Sequence, residues 1–238
     1  MCPKPLFVGE GADVAHPYHH ARSSARKFGG SPEVYEPIHA WFDRSKAHVA
    51  DATHRVLRHT SFGIFLAEMT FGVMLQGAHR KLTLRPVGEQ HVTEDLGQIP
   101  SLHDCLRHYA TPTWLTMNYA FDTPGVHAEK SAEAFGGKPE AYLQLHATLE
   151  SARHHVPDAR HRVFLHSGFG VETLVGIYGE TIPVGGRDVS VRQIAEHHIE
   201  TDLGFVPSAA QLLETLPLEP WMYLRSVPLS RDPDLSAA

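Results

Sequence analysis

Residues 48–59 read HVADATHRVLRH, and residues 155–166 read HVPDARHRVFLH. The match between these phrases extends far beyond them. At an offset of 107 residues, Pro17–Leu115 aligns with Pro124–Met222 without a gap, and 35 of the 99 paired positions are identical. SARKFGGSPEVYEPIHA (24–40) faces SAEAFGGKPEAYLQLHA, and GEQHVTEDLGQIPS (88–101) faces AEHHIETDLGFVPS. An ungapped match of this length is a duplication. The period exceeds that of stacked solenoid repeats, so the chain is read as two copies of one domain, 17–115 and 124–222. Residues 1–16 and 223–238 are terminal extensions, and residues 118–123 the linker. Two copies of one surface are expected to pack about a pseudo-twofold axis, as in a fused homodimer.

Each copy reads as mainly α with one β-hairpin. Ser31-Pro32-Glu33 supplies a cap residue, a proline for the first turn and an acid, which predicts a helix to about His48. Pro157, facing Ala50, stops that helix in both copies. A second helix is expected from Asp51 to Thr70, ending before Gly72. A hairpin follows, turning at Gly77–Arg80 and, in the second copy, at Val184–Arg187. A helix over Val87–Leu96 closes at Gly97, and Ser101 with Asp104 (Ser208 with Gln211) reads as a capping box.

Composition narrows the function classes. The chain has 238 residues, a formal net charge of −6 and no basic run. That argues against phosphate-driven nucleic-acid binding and against an electrostatic membrane partner. No stretch approaches transmembrane length, and the N-terminal MCPKPLFVGEGADVAHPYHH has no apolar segment like that of a signal peptide. Two cysteines are too few for a disulfide framework, so the expected location is the cytoplasm. The anomaly is 19 histidines against 21 lysines and arginines. Histidine is the commonest metal ligand and titrates near neutral pH.

Recurrence between the copies sorts these histidines. Six of the ten in the first aligned window recur: His20, His39, His48, His54, His59 and His91, facing His127, His146, His155, His161, His166 and His198. His19, His79, His103 and His108 do not, nor does His16 just outside the window, which faces Thr123, so HPYHH is set aside as a metal motif. The acids that recur unchanged are Glu33, Asp51, Glu89 and Asp95. Glu33 suits a helix N-terminus, and Asp51 and Asp158 are placed to pair with Arg55 and Arg162 at i,i+4. His91 and Asp95 lie four apart on one helix face, a spacing that lets both bind one cation. Glu89 and Glu196 project elsewhere and are candidates for a general acid or base. On a continuous helix, His54 and His59 would stand roughly 140° apart on opposite shoulders of an apolar stripe. His48 fits a helix end, and His39 beside Tyr35 and Phe42 points inward.

Other chemistries find no support. There is no nucleophile elbow, phosphate loop or dinucleotide fingerprint, and Cys105 faces Leu212, which marks it as core. The segments AHPYHHARSSARKFGG, HRVLRH and GEQHVTEDLGQIPS resemble a small bacterial and phage protein family known only as a domain of unknown function. The resemblance implies a self-standing domain of about one repeat and carries no activity.

The expected protein is therefore a His-rich metalloenzyme built as an intramolecular pseudo-dimer, with a further homo-oligomer left open. Candidate ligands are His20, His59, His91 and Asp95, then His127, His166, His198 and Asp202, with His39, His54, His146 and His161 in reserve. Zinc-type hydrolysis of a small molecule through a metal-bound water is the first expectation. A non-haem iron oxidoreductase is the second, and a non-catalytic metal-binding or interaction protein the third.

Overall fold

Pro17 and Pro124 each occupy the first position of a helix, where the missing N–H costs nothing. A computed structural model describes residues 16–75, 81–116 and 122–223. Domain 1 contains α1 (Pro17–Phe28), α2 (Pro32–Asp43), α3 (Arg55–Arg58), α4 (Ser61–Phe71), α5 (Arg85–Leu96), α6 (Leu102–Cys105) and α7 (Thr113–Thr116). Domain 2 contains α8 (Pro124–Phe135), α9 (Glu140–Leu149), α10 (Arg162–Leu165) and α11 (Gly168–Tyr178), then β1 (Thr181–Val184), β2 (Arg187–Ser190), α12 (Val191–Leu203) and α13 (Ala209–Leu213). The fold is mainly helical, and its elements recur in the same order at the sequence offset.

β1 and β2 pair antiparallel from Thr181↔Ser190 to Val184↔Arg187. Gly185 and Gly186 turn the hairpin with φ of 57° and 83°, the two positive values that a type I′ turn requires. Domain 1 has the matching bridge Met74↔Thr83, flanked by Leu75 N–H to Leu82 O at 2.9 Å. The turn expected at Gly77–Arg80 lies outside the described residues. α5 and α12 end on Gly97 and Gly204, and both expected capping boxes form.

The expected second helix is broken. Ala52–His54 form a 3-10 turn, α3 follows for one turn, and His59 leaves helical geometry at φ −86°, ψ 51°. Thr60 then caps α4, its hydroxyl accepting from Gly63 N at 3.0 Å. The joint is so tight that a Cβ on Gly63 would lie 1.8 Å from Arg58 O, and one on Gly170 would lie 1.8 Å from Leu165 O. Only glycine lets α4 and α11 press against the preceding turn, and this aims His59 and His166 inward. Gly63→Ala must therefore displace backbone. It is expected to cost about 2–3 kcal/mol in a chemical-denaturation melt, and an unchanged midpoint would show that the joint is not tight.

The first helix of the pair is also shorter than expected. α2 ends at Asp43, and Arg44–Ala47 continue as a 3-10 turn. The ion pairs expected for Asp51 and Asp158 do not form, because both carboxylates cap the 3-10 turns instead. Asp51 accepts from Thr53 N at 2.8 Å, and Asp158 accepts from Arg160 N at 2.9 Å. Arg162 turns inward to Asp202, with Nη2 to Oδ2 at 2.9 Å.

Reciprocal contacts join the domains. The Phe62 ring meets that of His155 at 6.5 Å between centroids, and His48 meets Phe169 at 5.2 Å. Phe62 aligns with Phe169 and His48 with His155, so each contact is the image of the other, as a pseudo-twofold axis demands. His48 thus belongs to the interface, where its Nε2 is also 3.2 Å from Glu172. One hydrophobic cluster runs through both domains and includes Cys105, whose thiol pKa burial pushes up. Among the described residues, no helix is long and apolar enough to cross a membrane.

Candidate metal centre

In each domain the recurring histidines converge. α1 supplies His20, α2 supplies His39 and Asp43, the broken joint supplies His54 and His59, and α5 supplies His91 and Asp95. Domain 2 repeats the set with His127, His146, Glu150, His161, His166, His198 and Asp202. All of these side chains are buried.

Distances define the centre of domain 1. His59 Nε2 lies 3.1 Å from His91 Nε2 and 3.2 Å from Asp95 Oδ2. His20 Nε2 is 3.1 Å from Asp95 Oδ1, and His91 Nε2 is 4.0 Å from Asp95 Oδ2 across the expected i,i+4 turn. In domain 2, His166 Nε2 is 3.1 Å from His198 Nε2 and 3.3 Å from Asp202 Oδ2, and His127 Nε2 is 3.4 Å from Asp202 Oδ1. With metal–ligand bonds of about 2.0–2.2 Å, two donors on one ion stand about 3.0–3.5 Å apart. Asp43, His59, His91 and Asp95 form one group able to hold an ion, and His127, Glu150, His198 and Asp202 form another.

A hydrogen-bond relay fixes which nitrogen of His91 is bare. Gln90 Nε2 donates to Glu94 at 2.6 Å, so its Oε1 faces Ser24, whose hydroxyl donates to it at 3.1 Å. Ser24 Oγ must then accept from His39 Nε2–H at 2.9 Å. Burial, with His20 beside it, pushes the His39 pKa down to about 3, so the ring is neutral. Its Nδ1 accepts from His91 Nδ1–H at 3.0 Å. His91 Nε2 is left as a lone pair aimed at His59 and Asp95. A ligating histidine is oriented in just this way, by donating its other N–H.

Asp95 is held ionised in the middle of the cluster. Burial alone would raise its pKa, but His20 and His59 hold it far below the carboxylate range. Burial opposes protonation of His20 as well, yet Asp95 and Glu94 together lift its pKa to about 9. His59 and His91 are depressed, chiefly by burial. A single proton on His59 Nε2 cannot serve both His91 Nε2 and Asp95 Oδ2, whereas a divalent ion can accept from all three.

The other expected residues fall at the edges of this centre. His39 and His146 orient His91 and His198; His146 stands between Ser131 Oγ at 2.9 Å and His198 Nδ1 at 3.0 Å. His54 Nδ1 bonds Ser45 at 2.9 Å, and the helix break brings its ring to 5.4 Å from that of His59. Glu89 and Glu196 are not brought in. They precede His91 and His198 by two residues, about 200° around the helix, and Glu196 faces Arg192 at 4.0 Å on the surface. His16 caps α1 through Tyr18 N at 3.3 Å, whereas His20 of the same HPYHH run enters the centre. Asp43 and Glu150 had been overlooked, because comparison by identity hides an Asp that becomes a Glu. Ser24 and Ser131 recur unchanged, but only the structure shows what their hydroxyls hold.

The sequence profile of the domain of unknown function DUF6915 matches residues 15–115 and again 122–222. The chain belongs to the DUF6915 family. No curated protein and no solved structure matches it. The buried His/carboxylate cluster therefore has to be read from its own chemistry, and it is present in both DUF6915 domains.

Proposed function

We propose that each domain binds a divalent transition-metal ion through its histidines and carboxylates, and that the bound ion activates water to hydrolyse a small molecule. The observation that carries this reading is the bare Nε2 of His91, held by the Ser24–His39 relay and directed at His59 Nε2 and Asp95 Oδ2. Imidazole and carboxylate without thiolate suit an exchangeable catalytic ion better than a closed structural zinc site. Zinc is the first choice, since it lowers the pKa of bound water without redox chemistry. Asp43, whose Oδ2 makes no hydrogen bond, is the carboxylate with an oxygen to spare for orienting that water. Burial of the whole set favours a substrate of few atoms.

A second reading has its own support. His59, His91 and Asp95 are two imidazoles and a carboxylate, the ligand set of non-haem iron oxygenases. Elemental analysis of the purified native chain tests both readings. At least one ion per domain is expected, lost from domain 1 in His59→Ala and from domain 2 in His198→Ala. Zinc would favour hydrolysis, and iron the redox alternative. A native protein free of metal would sink both, while unfolding on chelation would favour a structural role.

A further inference from the structure

The two centres are not equivalent, and the difference lies in Glu150. Where domain 1 has Asp43, one added methylene carries the Glu150 carboxylate into the middle of the cluster. Its Oε1 lies 3.3 Å from both His166 Nε2 and His198 Nε2. Its Oε2 lies 3.3 Å from His161 Nε2 and 3.2 Å from Arg153 Nη1. Asp43 stays at the rim, with Oδ1 2.6 Å from Lys46 Nζ and 4.0 Å from His59 Nε2.

His161 and His54 have diverged in the same direction. With Ala152 in place of Ser45, His161 Nδ1 bonds the carbonyl of Asp158 at 2.6 Å. A carbonyl can only accept, so the neutral ring presents the lone pair of Nε2 to Glu150 Oε2. These two electron pairs stand 3.3 Å apart, the spacing of two donors on one ion, with the Arg153 guanidinium on the Glu150 side only.

The first ligand shell has shifted to match. In domain 1, Glu94 accepts from His20 Nδ1 at 2.7 Å, and His59 belongs to the one donor group found among that domain's described residues. Domain 2 has Thr201 in place of Glu94, and neither ring nitrogen of His127 makes a hydrogen bond. There His127 enters the donor group with Glu150, His198 and Asp202. His166, the counterpart of His59, joins a second group with Glu150 and His161.

Building on the metal reading above, we propose that domain 2 holds two metal ions bridged by the Glu150 carboxylate, whereas domain 1 holds one. One ion sits among His127, His198 and Asp202. The other is bound by His161 and His166, with open positions for water or substrate. Carboxylate-bridged pairs about 3.5–4 Å apart clamp both the attacking and the leaving oxygen of a displacement, so domain 2 would be the hydrolytic centre and domain 1 the simpler one.

The test is metal stoichiometry of the full chain, loaded with Mn²⁺ alone at neutral pH and freed of excess by gel filtration. About three ions per chain are expected, with a spin-coupled Mn²⁺ pair in electron paramagnetic resonance. His161→Ala should lower the count to about two and abolish the coupling. Glu150→Asp, which installs the residue that domain 1 already tolerates, should do the same without unfolding. Two ions per chain in the native protein, uncoupled and unchanged by either variant, would overturn the bridged pair yet leave one ion per domain intact. No bound ion at all would overturn the metal reading together with it.

Discussion

Asp95→Ala is expected to empty domain 1 of metal and to destabilise the protein by about 3–5 kcal/mol, the usual cost of removing one partner from a buried charged cluster. The Asp95 carboxylate faces His20 at 3.1 Å and His59 at 3.2 Å, and the side chain is only 4% exposed. Without it, His20 keeps a charge-favouring bond to the partly exposed Glu94 but loses its more deeply buried neutralising partner. At about 2–4 °C per kcal/mol for a chain of this size, the melting temperature should fall by roughly 6–20 °C. Asp95→Asn separates the two effects, because it keeps the volume and removes the charge. It should lose the metal with a smaller drop in melting temperature. Asp202→Ala is expected to act alike in domain 2, with the added loss of Arg162's partner at 2.9 Å. Metal content per chain and a thermal melt check all three variants. If Asp95→Ala retained its full metal content, the centre would have to lie elsewhere.

How far the centre could be seen in advance follows from what duplication preserves. The two-domain architecture was legible because recurrence at one offset needs no structural knowledge, and His20, His59, His91 and Asp95 stood out as polar residues kept in both copies. Asp43 and Glu150 were hidden, because a change of carboxylate length counts as a difference although the charge is conserved. That same change separates the two sites. The helix break at His59 was hidden for another reason. Val56, Leu57 and Ile64 keep helical spacing across it, while the break depends on the Thr60 cap and on a glycine packed against Arg58 O. Because the chain bends there, His54 and His59 meet instead of standing on opposite shoulders. The relay through Ser24, Gln90 and Glu94 joins residues from two helices distant in sequence, and no local pattern announces such a pairing.

The metal-free protein should lose stability steeply as pH falls below about 6.5. Three histidines outside the ligand set are held neutral by burial, His39 with a pKa pushed down to about 3 and His54 and His146 to about 2. Each gains a proton on unfolding once the pH is below the unfolded value near 6.5, and the folded state binds none until about pH 3. A depressed folded pKa means stability that is present above 6.5 and lost as the pH falls through that window. One pH unit into it, each residue contributes a loss of about 1.4 kcal/mol, roughly 4 kcal/mol for the three. His20 works the other way. Its pKa is raised to about 9, so its contribution is complete below 6.5 and fades as the pH rises towards 9, which returns about 1 kcal/mol on acidification. These four groups together give a net loss near pH 5.5 of about 3 kcal/mol. The buried His91 and His198, also held neutral in the metal-free chain, add further loss, and the stability maximum lies close to neutrality. Denaturant melts of the chelated chain between about pH 5 and 8 check this, with His39→Gln and His146→Gln, which cannot titrate, each reducing the loss at pH 5.5 by about 1.4 kcal/mol. Stability that stayed flat from pH 7 to 5.5 would show that these buried rings already carry protons, and the lone pair assigned to His91 Nε2 would lose its basis.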